Sequence, residues 1–137
     1  MIKRLETNRV IWHHSLSGDV SIDTVREWHI ARGFSDVGYH YVINSWGDRF
    51  DGRDMNLVGA HKKGANYDSI GVCLLGNFAT GYPTFEAMVE CKILYHQLCR
   101  AYSKELKNEF HRWLYNPCPG RRFNRNWFLA EMKRAYL

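Results

Sequence analysis

The sequence predicts a mixed α/β fold, a single domain over residues 1–137 with a central mixed β-sheet flanked by helices. Three observations predict it. Short apolar, β-branched runs at Arg9–His14 and residues 69–75 are too brief for helices and are bounded by turn residues. Segments whose apolar residues fall at helical spacing alternate with them. The composition, 45% hydrophobic and 15% aromatic over 137 residues, is enough for one core.

The elements follow in order. Arg9–His14 reads as a buried strand that places His13 near its C-terminal end. Ser21 is an N-cap for a helix with Ile22, Val25, Trp28 and His29 on one face, stopped by Gly33. Residues 39–44 form a strand that turns through Ser45-Trp46-Gly47-Asp48 into residues 49–53, a hairpin. Residues 54–68 hold two glycines and little periodicity, so they read as a long exposed connection, and such loops are usually functional. The apolar run at 69–75 fits a strand covered on both faces.

Thr84 caps the longest helix, running to about residue 104 with Met88, Cys91, Leu94, Tyr95, Leu98 and Tyr102 buried. A short strand at 109–111 leads to a Pro/Gly turn around Cys118. A last helix from about Arg125 buries Phe128, Met132 and Tyr136.

Charge and cysteines bound the function. The net charge of +5 favours acidic partners, but the basic residues are scattered and build no recognisable nucleic-acid reader. No run approaches the ~18 apolar residues of a membrane span. The start, Met1-Ile2-Lys3-Arg4-Leu5-Glu6-Thr7-Asn8, lacks the apolar core of a signal peptide, so the expectation is synthesis in a cytoplasm and release by another agent. Cys91 and Cys99 lie about 12 Å apart along one helix, too far to bond. Cys73 reads as a buried small hydrophobe. Cys118 alone sits where a thiolate could face a metal.

His13, His111 and Cys118 make a plausible three-ligand set for a catalytic zinc, which keeps a fourth position open. The competing reading is a core histidine, a solvated histidine and a buried thiol. Of the other histidines, His29 and His96 read as helical packing or surface residues. Strand alternation turns His14 away from His13. His40 supports the site from a strand, and His61, in the glycine-rich loop, either touches substrate or is solvated.

Asp36-Val37-Gly38-Tyr39-His40-Tyr41, then His61-Lys62-Lys63-Gly64-Ala65-Asn66, then Ser69-Ile70-Gly71-Val72-Cys73-Leu74 stand in one order between His13 and His111…Cys118-Pro119-Gly120. In this the chain resembles the zinc-dependent N-acetylmuramoyl-L-alanine amidases, which include phage amidase-type lysozymes and animal peptidoglycan-recognition proteins. The resemblance runs from about Val10 to the final helix. It implies one zinc ion on His13, His111 and Cys118, Tyr39 as a catalytic residue, and the family's mixed sheet with flanking helices. Non-catalytic recognition proteins typically lack the cysteine, so Cys118 points to hydrolysis.

Three departures stand out. Cys118 follows His111 by seven residues, one fewer than is usual in the family. Asn116 occupies the position where phage lysozymes carry a catalytic lysine, and is the candidate second catalytic group. Trp113 replaces an acidic residue. The implied substrate is bacterial peptidoglycan, cleaved between N-acetylmuramic acid and L-alanine in endolysin-type lysis, with His61 and Asn66 as substrate contacts. Phage RNA polymerase is a further implied partner, since some phage lysozymes bind it. Nucleic acid and membrane insertion are not expected, and the expected state is a monomer.

Overall fold

A computed structural model describes residues 1–134. The described elements are β1 (Arg9–His14), α1 (Ile22–Ala31), β2 (Tyr41–Ile43), β3 (Arg49–Asp51), β4 (Ser69–Leu74), α2 (Phe85–Tyr102), β5 (Lys107–Phe110) and α3 (Arg125–Lys133), with a 3-10 turn at Asn66–Asp68. Among the described residues the sheet has five strands in the order β3-β2-β4-β1-β5. β1 lies parallel to both β4 and β5, β2 is parallel to β4, and only β3 runs antiparallel, as the return arm of the hairpin. The mixed α/β expectation therefore holds.

Alternation along the central strands divides the two faces. Val10 and Trp12 of β1 and Ile70, Val72 and Leu74 of β4 point into the main core with Leu94, Leu98, Phe128 and Met132 of α2 and α3. Trp12 is fully buried, meets Phe128 edge-on at 4.8 Å, and gives its indole N–H to Asn108 Oδ1 at 2.8 Å, so its one polar atom is satisfied. On the opposite face Val42, Cys73 and Leu75 pack against Val25 and Ile22 of α1. β4 alternates small residues, Ser69, Gly71 and Cys73, with large ones. The large set fills the core, and the small set leaves room above the sheet for other side chains.

Both predicted caps are present. Ser21 Oγ accepts from Thr24 N and Thr84 Oγ1 from Ala87 N. Gly33 takes φ +93° just past α1, a left-handed value that favours glycine. Trp28 departs from expectation at 40% exposure, because it lies on the flank of the stripe that buries Val25 and His29. Phe128 and Met132 are buried as predicted, whereas Tyr136 lies outside the described residues.

The strand expected at 39–44 is shorter, Tyr41–Ile43, although Tyr39 and His40 still bond to the neighbouring chain on either side of it. His40 N–H goes to Gly71 O, and Tyr39 O accepts from Arg53 N. The long connection is also not the exposed loop expected. Arg4 donates to Leu57 O and Thr7 Oγ1, and buried Arg53 donates to the carbonyls of Val37 and Val58. A guanidinium with several donors can satisfy turn carbonyls that have no ladder partner, so these two arginines fasten the loop to the body. No helix among the described residues is long and apolar enough to cross a membrane.

Candidate metal centre and catalytic cleft

His13 is the penultimate residue of β1 and points to the face opposite Trp12. β5 ends at Phe110, and the His111 N–H bonds to Trp12 O at 3.2 Å, which sets His111 beside His13 with ring centroids 4.7 Å apart. Arg112 and Cys118 then exchange two backbone hydrogen bonds, 2.9 and 3.1 Å, as an isolated antiparallel bridge. That bridge folds the short loop back, so Cys118 returns to the strand end that His111 has just left. The ligand-capable atoms of His13, His111 and Cys118 all lie within 4.8 Å of one another.

The donor set fits a borderline-soft divalent ion: two imidazoles, one thiol and no carboxylate. Both imidazoles are held neutral, as ligation requires. Burial carries His13 well below its ordinary value, helped by His61 and His111. Burial, with Arg112 and Lys62 nearby, brings His111 to about 4. Burial pushes the Cys118 thiol up, opposed by a 3.3 Å hydrogen bond from His14 N–H and by the charges of Arg112 and Arg125. These opposing groups are the ones that would stabilise a thiolate on a metal.

The loop between His111 and Cys118 explains two of the sequence departures. Tyr115 and Asn116 both have positive φ, 51° and 56°. Asparagine tolerates that region better than most side chains, which gives Asn116 a conformational reason to occupy the turn. Its carbonyl accepts from Arg112 Nε at 3.0 Å and its side chain is exposed. Trp113 stacks over the Arg125 guanidinium, 4.6 Å from the ring centroid, with Phe110 also in contact at 5.2 Å. That buried guanidinium donates to Arg112 O and Pro119 O, one carbonyl from each arm of the loop. Arg125 was not anticipated. An arginine at the first position of an amphipathic helix carries no periodic mark of burial.

His14 points away from His13, as alternation predicts. Its Nδ1 accepts from Phe78 N at 3.0 Å and Gly120 N at 3.3 Å, which ties the Cys118 loop to the segment after β4. His29 is buried, accepts from Gly38 N, and packs on Tyr39 with ring centroids 5.2 Å apart. Tyr39 in turn lies 5.1 Å from the His13 ring. Burial raises its hydroxyl well above the ordinary tyrosine value, reinforced by Cys73 and Cys118, so Tyr39 stays a donor at neutral and alkaline pH.

His61 is buried rather than solvated, with Nδ1 2.9 Å from His13 Nε2 and Nε2 3.1 Å from Ser69 Oγ. Asn66 Oδ1 accepts from the backbone N–H groups of His61 and Lys62, both at 2.9 Å, so it shapes the loop it belongs to. A cleft of about 370 Å³ adjoins the cluster, lined by His29, Tyr39, His61, Lys62, Asn66 and His111. A larger cavity of about 840 Å³ lies beside Tyr95, Cys99 and Met132 and contains none of the cluster residues.

His40 carries a pH prediction. It accepts from Gly71 N at Nδ1 and is 2.8 Å from Leu57 O at Nε2, and burial lowers its pKa to about 4. The native ring stays neutral to that value, whereas the unfolded chain protonates near its ordinary 6.5. Stability is therefore full above about pH 6.5 and lost as pH falls from there to 4, with His40 contributing on the order of 3 kcal/mol. Urea unfolding of metal-free protein from pH 8 to 4 should show the decline, and a shallower one in His40→Asn. Equal slopes in the two proteins would contradict it.

Comparison with known proteins agrees with this geometry. The family model described as N-acetylmuramoyl-L-alanine amidase matches residues 3–121. The endolysin of Enterobacteria phage K11 is 37% identical over 125 residues, covering 85% of this chain and 83% of that protein. The endolysin of Klebsiella phage KP32 is 35% identical over 138 residues, covering 95% and 91%. Among solved structures, the N-acetylmuramoyl-L-alanine amidase LysC from Clostridium intestinale URNW superposes with a TM-score of 0.87 at 28% identity, over 94% of this chain and 87% of that one.

Proposed function

The chain belongs to the N-acetylmuramoyl-L-alanine amidase family, and we propose that it is an endolysin-type zinc amidase. In this reading it hydrolyses the amide between the lactyl group of N-acetylmuramic acid and L-alanine in bacterial peptidoglycan. The observation that carries it is the convergence of His13, His111 and Cys118 beside an open cleft. Three protein ligands leave a position for chemistry, whereas a structural zinc is closed by four.

When bound, a zinc ion supplies Lewis acidity, polarising a carbonyl and making water nucleophilic at neutral pH. The chain supplies the rest. Tyr39, protonated and half-buried beside His13, donates to the carbonyl oxygen as negative charge develops on it. Water oxygen bonds to the lactyl carbonyl carbon, the C–N bond breaks, and the proton goes to the departing alanine nitrogen. The products are a lactyl carboxylate and a free amino group. Arg32, Lys62 and Lys63 line the cleft and suit a stem peptide that carries carboxylates. Asn116 is a secondary donor at most in this scheme, reaching the site only if its exposed side chain turns inward.

Product analysis of digested cell walls tests the bond assigned. Free alanine amino groups should accumulate without new reducing sugar ends. Reducing ends without amines would make the protein a glycosidase and overturn the reading.

A further inference from the structure

We propose that His61 and Ser69 form a hydrogen-bond relay that fixes the tautomer of His13, leaving its Nδ1 lone pair bare for the metal. His61 is thereby a positioning residue. The inference rests on the metal reading above but is decided by protons that can be seen without metal.

Ser69 Oγ lies 2.7 Å from Ala65 O. A carbonyl only accepts, so the hydroxyl proton is committed to it. The same oxygen is 3.1 Å from His61 Nε2 and must accept there, which puts the His61 proton on Nε2. His61 Nδ1 is then a lone pair, and His13 Nε2, 2.9 Å away, must donate to it. A neutral imidazole carries one proton, so His13 Nδ1 has none. Each proton position follows from the one before, starting from a backbone carbonyl that cannot reverse.

The surroundings hold the relay in place. Ser69 is fully buried, His13 is 1% exposed and His61 8%, so water does not compete for these bonds. The His61 ring lies against Gly71, where a Cβ would come within 2.5 Å of its Cγ. That contact accounts for a glycine in the middle of a central strand. Ser69 and Gly71 are alternate residues of β4 on the face that also bears Cys73, so one strand supplies both the acceptor and the floor. His61 spends both nitrogens on protein partners, so neither is free to hydrogen-bond to substrate. Outer partners of this kind orient ligating histidines in metal sites generally.

Long-range 1H–15N spectra of the metal-free protein should show His13 and His61 both as Nε2–H tautomers. Zinc affinity, measured by competition with a chromophoric chelator, should fall roughly 10–100-fold in Ser69→Ala and His61→Ala. His61→Gln should retain most of it, because an amide can still accept from His13 and donate to Ser69. An Nδ1–H tautomer at His13 in the wild type would overturn the proposal even if the protein binds zinc and digests walls. Wild-type zinc affinity in both alanine variants would overturn it as well. Both Nε2–H tautomers in a protein that binds no zinc would uphold the relay and refute the metal reading.

Discussion

Cys118→Ala is expected to lose zinc at micromolar protein concentration and to lose wall digestion with it, while remaining folded. The thiol sits at the return of a loop fixed by the Arg112–Cys118 backbone bridge and by Arg125, and neither restraint uses the Cys118 side chain. Alanine therefore removes the metal donor, and the acceptor of the His14 N–H, while both backbone restraints on the loop remain. Loss of a ligand should exceed the roughly 10–100-fold that loss of an outer partner costs. His13→Ala should behave alike, since its ring, like the Cys118 thiol, is a buried member of the cluster. Cys99→Ala is the matched control, a half-buried thiol that accepts from Leu106 N on the helical side of the core. Metal analysis of the purified variants reads the result. A folded Cys118→Ala protein with full zinc would remove Cys118 from the site.

Tyr39→Phe is expected to lower kcat by roughly 10²–10³ with KM, zinc content and folding little changed, the usual effect of losing one oxyanion donor. Phenylalanine keeps the ring contacts with His13 and His29, at centroid distances of 5.1 and 5.2 Å, and removes only the hydroxyl. Burial keeps that hydroxyl protonated, so the wild-type rate should show no loss attributable to Tyr39 ionisation up to about pH 10. Near-normal turnover in Tyr39→Phe would mean that the tyrosine only packs against Cys73, and Lys62 and Arg112 would become the donors to test.

The parts of this site legible in the sequence are those with local signatures. An apolar run ending in histidine, a histidine after a short strand and a cysteine between prolines each mark an edge of the fold, and the structure brings all three together. Strand alternation likewise separated His14 from His13. What escaped was set by side-chain partners that no periodic pattern marks. The loop at 54–68 looked exposed because nothing periodic marks Arg4 and Arg53 as its fasteners. His61 and Asn66 both line the cleft, but the sequence did not show that their polar atoms are also engaged within the protein, with Ser69 and His13 for one and the loop backbone for the other. Arg125 was hidden for the same reason, since its burial comes from aromatic faces on another element.

The most direct measurement is digestion of purified peptidoglycan by chelator-stripped protein, titrated back with zinc while metal content and released alanine amino groups are followed together. The account predicts no release from the stripped protein, then activity rising in proportion to bound zinc and levelling at one ion per chain. Undiminished release of alanine amino groups by metal-free protein would contradict it.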